Sequence, residues 1–170
     1  MDVLLIRHAE SGERDVAVYP DDDLRPVTVE GRRKMIRLAR AMQLMGIRFD
    51  MIATSPLVRA VQTAEIVREV FDHERPADVS DTLGHACTPG NVIRLLEQYP
   101  NDATVVLVGH EPALSRVAAA MIGAPSETGI ALKKGGSIGI SFEGAATLGR
   151  GTQQFHLKPG HLKRVKDRDS

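Results

Sequence analysis

Short apolar runs alternate with longer amphipathic segments along most of this sequence, and this alternation constrains the fold more than any other feature. The runs DVLLI at residues 2–6 and ATVVLVG at residues 103–109 are continuously apolar, as expected of strands buried on both faces of a parallel sheet. DMIATS at residues 50–55 and the weaker ADVS at residues 77–80 predict two more strands. Strands that alternate with helices favour a three-layer α/β/α domain with a mainly parallel sheet and right-handed crossovers.

Four helices are predicted in the intervals. Two of them cover about residues 89–99 and 111–123. The first begins after Thr28, whose hydroxyl can cap it, and ends at Gly46. The second should begin directly after Ser55, taken as its N-cap, because Pro56 is tolerated at the first helical position.

The C-terminal part of the chain follows a different pattern. SIGISF at residues 137–142 and QQFHL at residues 153–157 alternate with a period of two and are separated by a glycine-rich stretch. This pattern predicts an antiparallel pair of strands that completes the sheet.

Length and charge limit the class of protein. The 170 residues fit one domain at residues 1–160 with a basic tail at residues 161–170. Basic and acidic residues number 22 each, which argues against nucleic acid or a membrane surface as partner, so any attraction for anions must be local. The single Cys87 fits a reducing compartment, and no apolar run approaches the ~20 residues needed to span a bilayer. We therefore expect a cytoplasmic protein.

Charged and polar side chains follow three of the predicted strands. They are Arg7 and His8 after the first strand, Arg59 in the helix after the second, and His110 after the strand at residues 103–109. Ligands of open α/β sheets bind beyond the carboxyl ends of the strands, where these side chains should meet. Guanidinium forks and helix starts both suit phosphate oxygens. The sequence therefore predicts a local cationic pocket for a phosphate-like anion.

Four motifs in this order resemble those of the histidine phosphatase superfamily, the phosphoglycerate mutase-like fold family. They are IRHAE at residues 6–10, RPVTVEG at 25–31, TSPLVRAVQTAEIV at 54–67 and VVLVGHEP at 105–112. The short length, the missing insertions and the ending FHLKPGHLKRV look most like its SixA-type phosphohistidine phosphatase branch.

This resemblance implies a role for each motif residue. His8 would be the nucleophile that accepts the phosphoryl group and forms a phosphohistidine intermediate, which water then hydrolyses. Arg7, Arg59 and His110 would bind the phosphate, and Arg25 matches a family position near the same pocket. The attacking ring nitrogen must be unprotonated, which a backbone carbonyl accepting from the other nitrogen can ensure. No cofactor or metal is called for, because side chains supply the positive charge.

The general acid is the point where this sequence departs from the family. Many members that cleave phosphate esters carry a glutamate in the loop after the third strand, whereas this loop reads VSDTLGHACTPGN. Asp81 is the first candidate replacement, His85 is another, and the third alternative is that no dedicated acid exists. An alkoxide leaving group gains ~10²–10⁴-fold from a positioned acid. An imidazole leaves neutral once it is protonated, with a conjugate-acid pKa near ~6.5. A weak or absent acid therefore favours a P–N bond as the target.

The sequence thus predicts a metal-independent phosphohydrolase that acts on phosphohistidine in a signalling protein. A phosphatase of small phosphate monoesters is the first alternative. A phosphoglycerate mutase-like transferase is disfavoured, because such enzymes usually carry added loops. A phosphate-binding module without turnover would have no need of His8. The basic residues of the C-terminal segment predict a solvated end or, alternatively, a dock for an acidic partner; they are Lys158, Lys163, Arg164, Lys166 and Arg168.

Overall fold

The computed structural model describes residues 1–125 and 129–164. These residues form one six-stranded sheet in the order β3–β2–β4–β1–β5–β6. The strands are β1 (Asp2–Arg7), β2 (Met51–Thr54), β3 (Asp78–Val79), β4 (Thr104–Gly109), β5 (Ser137–Ser141) and β6 (Thr152–Leu157). The helices are α1 (Val29–Leu44), α2 (Val58–Phe71), α3 (Pro89–Leu96) and α4 (Ala113–Met121). Short 3₁₀ segments lie at Asp22–Leu24, Asp81–Leu83 and Pro159–Arg164.

The topology confirms the predicted three-layer α/β/α class. Strands β1 to β4 are mutually parallel where they pair, and β5 and β6 add an antiparallel pair at the β1 edge. β1 explains why the apolar run is continuous: Val3 and Leu5 belong to the core on the α3–α4 face, whereas Leu4 and Ile6 belong to the core on the α1–α2 face. Both faces of the central strands are therefore covered by helices.

The start of α1 confirms the predicted cap. Thr28 Oγ1 accepts a hydrogen bond from the backbone N–H of Gly31 at 2.9 Å. The prediction for α2 was wrong, because its N-cap is Leu57 and the helix begins at Val58. Ser55 is still part of the sheet, since its N–H donates to the carbonyl of Val108 at 3.0 Å. This pairing with β4 keeps the chain extended at Ser55, so the helix begins at Val58 and not at Pro56.

The C-terminal segment continues past residue 160 as an ordered element. The 3₁₀ segment Pro159–Arg164 packs against α1, and Leu162 is 7% exposed within the core. The last part of the predicted basic tail, residues 165–170 with Lys166 and Arg168, lies outside the described residues. Within the described part of the chain, no helix is long and apolar enough to cross a membrane.

Candidate active site

The carboxyl ends of β1 and β4 bring the predicted nucleophile and its neighbouring histidine together. The two strands are parallel with Arg7 opposite Gly109, and the N–H of His8 donates to the carbonyl of Gly109 at 3.0 Å. The ring centroids of His8 and His110 lie 5.0 Å apart. β2 pairs with β4 on its other side, so α2 starts at the same edge and carries Arg59 there. The structure thus places all four predicted pocket residues at one edge of the sheet.

His8 is held as a neutral imidazole with a defined tautomer. The ring is 5% exposed, and its Nδ1 lies 2.7 Å from the carbonyl oxygen of Ala9. A carbonyl only accepts, so Nδ1 carries the proton and Nε2 is left unprotonated. The pKa of His8 is lowered to about 3, mainly by burial, which outweighs the hydrogen bond to Ala9, with further lowering by the charges of His110 and Arg59. Nε2 is consequently available as a nucleophile at neutral pH.

His110 is the second neutral imidazole at this edge. Its Nε2 lies 2.8 Å from the hydroxyl oxygen of Ser55. The pKa of His110 is lowered to about 4, first by burial and then by the charge of Arg59, while the carboxylate of Asp23 opposes the shift. A bound phosphate would add negative charge beside the ring, so anion binding should raise this pKa and favour proton donation.

The two arginines are anchored at one end and keep unused hydrogen-bonding capacity. Arg7 Nη1 donates to the carbonyl of Leu132 at 2.8 Å, and Arg59 Nη1 donates to the carbonyl of Asp22 at 2.7 Å. Among the described residues, neither Nε atom has a partner although both are buried. Burial lowers the pKa of both guanidinium groups, which nevertheless stay protonated at neutral pH. Buried N–H groups without acceptors favour the binding of an anion that supplies them.

An acidic segment that sequence reasoning did not assign to the pocket lies beside Arg59. Asp22 Oδ2 is 3.3 Å from Arg59 Nη2, and Asp22 Oδ1 is 3.0 Å from Arg25 Nε. The hydrogen bond from Arg25 is the main reason that the pKa of Asp22 lies below its usual range. The run DDD before Arg25 was the available signal in the sequence.

Arg25 lies near the pocket but uses its donors within the loop. Besides the contact with Asp22, its Nη1 donates to Ser11 Oγ at 2.9 Å and to the carbonyl of Gly12. This arginine therefore ties the Asp22–Leu24 segment to the turn after the nucleophile. A direct phosphate contact by Arg25 stays a prediction.

The two candidate acids differ in their surroundings. Asp81 is exposed, and its carboxylate makes no hydrogen bond or ion pair with another described residue. His85 is also exposed, but its Nε2 lies 3.2 Å from Asp23 Oδ2. Charges on both His85 and Asp23 act on His110, which places this pair at the rim of the pocket. In the part of the chain that the structure describes, no group of three or more His, Cys, Asp or Glu side chains could hold a metal ion.

Comparisons with known proteins identify the family of this chain. The family model described as "Histidine phosphatase superfamily (branch 1)" matches residues 3–85. An uncharacterized protein of Picosynechococcus sp. is 35% identical over 150 residues, which cover 87% of this chain and 88% of that protein. This chain belongs to the histidine phosphatase superfamily.

Two further relatives of this superfamily member span nearly the whole chain. The phosphohistidine phosphatase SixA of Escherichia coli is 25% identical over 168 residues, covering 98% of this chain and 99% of that protein. The solved structure of the protein histidine phosphatase SixA complexed with tungstate matches with a TM-score of 0.82 at 25% identity, covering 96% of this chain and 100% of the other. The similarity therefore extends beyond the segment matched by the family model and includes the region of His110.

Proposed function

We propose that this protein is a phosphohydrolase that removes the phosphoryl group from phosphohistidine in another protein through a phosphohistidine formed on His8. The observation that carries the proposal is the 2.7 Å contact between His8 Nδ1 and the Ala9 carbonyl, which leaves Nε2 unprotonated beside two arginines. The similarity to a phosphohistidine phosphatase over almost the entire chain supports the choice of substrate.

In the first step, the lone pair of His8 Nε2 forms a bond to phosphorus while the bond from phosphorus to the substrate imidazole breaks. The departing nitrogen takes a proton from water, so that the substrate leaves as a neutral imidazole and a hydroxide remains, which the proton released in the second step neutralises. Arg7 and Arg59 bind the equatorial oxygens, where negative charge develops. His110 adds a third donor once the phosphoryl dianion has raised its pKa.

In the second step, a water molecule attacks the phosphorus of the phosphoenzyme. The new P–O bond forms as the P–Nε2 bond breaks, one water proton is released, and inorganic phosphate departs. His8 returns to its starting state with the proton still on Nδ1. The net reaction consumes one water and gives histidine and phosphate.

The residues at the pocket rim favour a substrate whose leaving group depends little on acid catalysis. The Asp81 carboxylate is exposed and unpaired with described residues, and no glutamate stands in the loop. The Asp23–His85 pair, in contrast, favours a second candidate, a phosphatase of small phosphate monoesters, because a protonated His85 held by Asp23 could donate to a leaving alkoxide.

The direct test compares rates on a phosphohistidine peptide, p-nitrophenyl phosphate and a panel of sugar phosphates, with EDTA present. We expect the phosphohistidine peptide to have the highest kcat/KM. His8→Ala should abolish turnover on every substrate, and rapid quenching of the wild type should trap phosphate that is acid-labile and base-stable. His73→Ala is the matched control, since His73 packs on Phe49 at the far end of α2.

Three results would contradict the proposal. Substantial turnover by a folded His8→Ala variant would show that His8 is not the nucleophile. A strict requirement for a divalent metal would indicate different chemistry. A preference for sugar phosphates by more than tenfold would make the monoester phosphatase the better assignment.

A further inference from the structure

A groove of about 680 Å³ lies directly beside the candidate pocket and shares Arg7 with it. It runs between α1, the loop around Lys133 and Lys134, and the 3₁₀ segment Pro159–Arg164. Pro159 and Leu162 give it an apolar part. This volume is in the range of sites that hold a whole ligand, and it is larger than a single phosphate requires.

The charges of this groove are predominantly positive. Five cationic side chains line it against two carboxylates; the cations are Arg7, Lys34, Arg37, Lys133 and Lys134. Both carboxylates are already compensated. Glu10 Oε2 lies 2.6 Å from Lys34 Nζ, and Glu30 Oε1 lies 3.7 Å from Arg37 Nη2.

Lys133 and Lys134 are the cations that remain open to a ligand. Both are exposed, and neither makes an ion pair or a side-chain hydrogen bond with any described residue; the charge of Lys134 acts on the Glu10 carboxylate only at longer range. The whole chain has no net charge, so the excess of positive charge here is a local feature. Such a patch attracts an acidic partner and orients it as it approaches.

The two lysines are held next to the nucleophile by the backbone. The N–H of Gly135 donates to the carbonyls of His8 and Arg7 at 3.0 and 3.2 Å. The loop that carries the lysines is thereby fixed to the turn that carries His8. A polypeptide whose phosphohistidine reaches His8 therefore has its flanking residues near this groove.

We propose that the groove binds an acidic segment of the substrate protein adjacent to its phosphohistidine, an inference that rests on the proposed function. Carboxylates of the segment pair with Lys133 and Lys134, and an aliphatic side chain packs on Pro159. Small phosphate esters do not reach the lysines and gain nothing from them.

The test uses two synthetic peptides phosphorylated on histidine with phosphoramidate. They are identical except that one has Glu and Asp on both sides of the histidine and the other has Gln and Asn. We expect the wild type to prefer the acidic peptide in kcat/KM by about tenfold, since each exposed charge pair contributes up to roughly fivefold. In the Lys133→Gln/Lys134→Gln variant the preference should fall to about twofold or less. Its rate on p-nitrophenyl phosphate should stay within about twofold of the wild type.

A matched variant controls for the total charge of the protein. Arg48→Gln/Arg150→Gln removes two positive charges from the opposite edge of the sheet, where Arg48 precedes β2 and Arg150 precedes β6. This variant should keep the full preference for the acidic peptide.

The outcomes separate the two proposals. Equal rates of the wild type on both peptides, or an unchanged preference in the lysine variant, would overturn the docking inference while phosphohistidine hydrolysis stands. Hydrolysis of p-nitrophenyl phosphate without hydrolysis of either peptide would overturn the proposed substrate and the inference together.

Discussion

The candidate pocket has two sides that are built differently. The strand side consists of Arg7, the last residue of β1, and of His8 and His110, which directly follow β1 and β4. The loop side consists of Asp22, Arg25, Asp23 and His85, which lie in or next to the 3₁₀ segments Asp22–Leu24 and Asp81–Leu83. On the strand side, the backbone carbonyls of Ala9 and Leu132 bind His8 and Arg7, and the Ser55 hydroxyl contacts His110. Carboxylates hold the loop side and bind Arg25 and Arg59.

The two sides differ in how far the positive charge of their arginines is compensated by nearby carboxylates. Among the described residues, no carboxylate lies within ion-pair distance of Arg7, and the charge of Glu111 acts on it only at longer range, so Arg7 can still bind a phosphate. Arg59 faces the Asp22 carboxylate at 3.3 Å, and an incoming anion must share this arginine with it. The strand side should therefore determine the chemical step, and the loop side should adjust anion affinity and leaving-group preference.

The largest expected effect comes from removing the arginines. Arg7→Ala and Arg59→Ala should each lower kcat/KM by about 10²–10³-fold on all substrates, because both act on the transferred phosphoryl group. Asp22→Asn should restore part of the activity of Arg59→Ala, since it removes a negative charge that Arg59 no longer faces and that, among the described residues, only Arg25 would otherwise balance at hydrogen-bonding distance. It should give no comparable rescue of Arg7→Ala. Steady-state kinetics of the two double-mutant cycles measure this coupling.

Equal rescue of both arginine variants by Asp22→Asn would contradict the division into two sides. Thermal unfolding of each variant excludes loss of the fold as the cause of lost activity.

The next effect concerns stability and pH on the strand side. The pKa values of His8 and His110 are lowered to about 3 and about 4, so the unfolded chain binds more protons than the folded protein below pH ~6.5. Their contribution to stability is complete above that pH and is lost as the pH falls toward 4. Each imidazole can lower the free energy of unfolding by up to about 1.4 kcal/mol per pH unit in this window. Urea unfolding at pH 5, 6 and 7 should show a smaller decrease for His8→Asn/His110→Gln than for the wild type.

If the free energy of unfolding changes with pH in the same way in the wild type and in the double variant, these two rings titrate normally in the folded state and the prediction is wrong. His73→Asn, which changes a half-buried histidine away from this pocket, is the control variant.

On the loop side, the candidate acids should have modest effects on phosphohistidine. Asp81→Asn should lower that rate by less than about tenfold, which corresponds to under ~1.4 kcal/mol of barrier. His85→Gln should affect an alkyl phosphate ester more than phosphohistidine, because the alkoxide needs a proton. A hundredfold loss on both substrates in a folded Asp81→Asn variant would identify Asp81 as a true general acid.

The smallest expected effect is an increase in the affinity for phosphate. Asp22→Asn removes negative charge from beside Arg59 and should tighten binding of inorganic phosphate by roughly 1.5- to 5-fold, as measured by calorimetry. Asp15→Asn changes the same charge in the same loop without an arginine partner and should bind phosphate like the wild type. Weaker binding by Asp22→Asn would show that the carboxylate positions Arg59 and does not compete with the anion.

The strand side could be predicted from sequence because its residues directly follow apolar runs. Parallel strands align their carboxyl ends, so Arg7, His8 and His110 had to meet once the runs were recognised as neighbouring strands. The family motifs added the identity of the nucleophile. The tautomer of His8, however, depends on the local turn at Ala9, which is defined only in the folded structure.

On the loop side, Arg25 and His85 were predicted near the pocket, but the place of Asp22 and Asp23 could not be predicted, since it depends on contacts that are distant in sequence. The acidic run at Asp22 and Asp23 is evident, but its place in the pocket follows from the contact of Asp22 with Arg59. Ser55 is a second position at which contacts distant in sequence overrule a local sequence signal. A Ser-Pro pair is a good local signal for a helix start, yet pairing with β4 and the contact with His110 prevailed.

The contact between His8 Nδ1 and Ala9 also defines the regiochemistry of the proposed intermediate. A phosphoryl group on His8 must be attached at Nε2, which makes the phosphoenzyme the τ isomer and excludes the π isomer. The proton stays on Nδ1 and donates to the Ala9 carbonyl before, during and after the phosphoryl group is present, and this hydrogen bond stabilises the positive charge that the ring carries in between. The nucleophile can thus complete a full turnover without exchanging a proton of its own, and its pKa need not match the working pH.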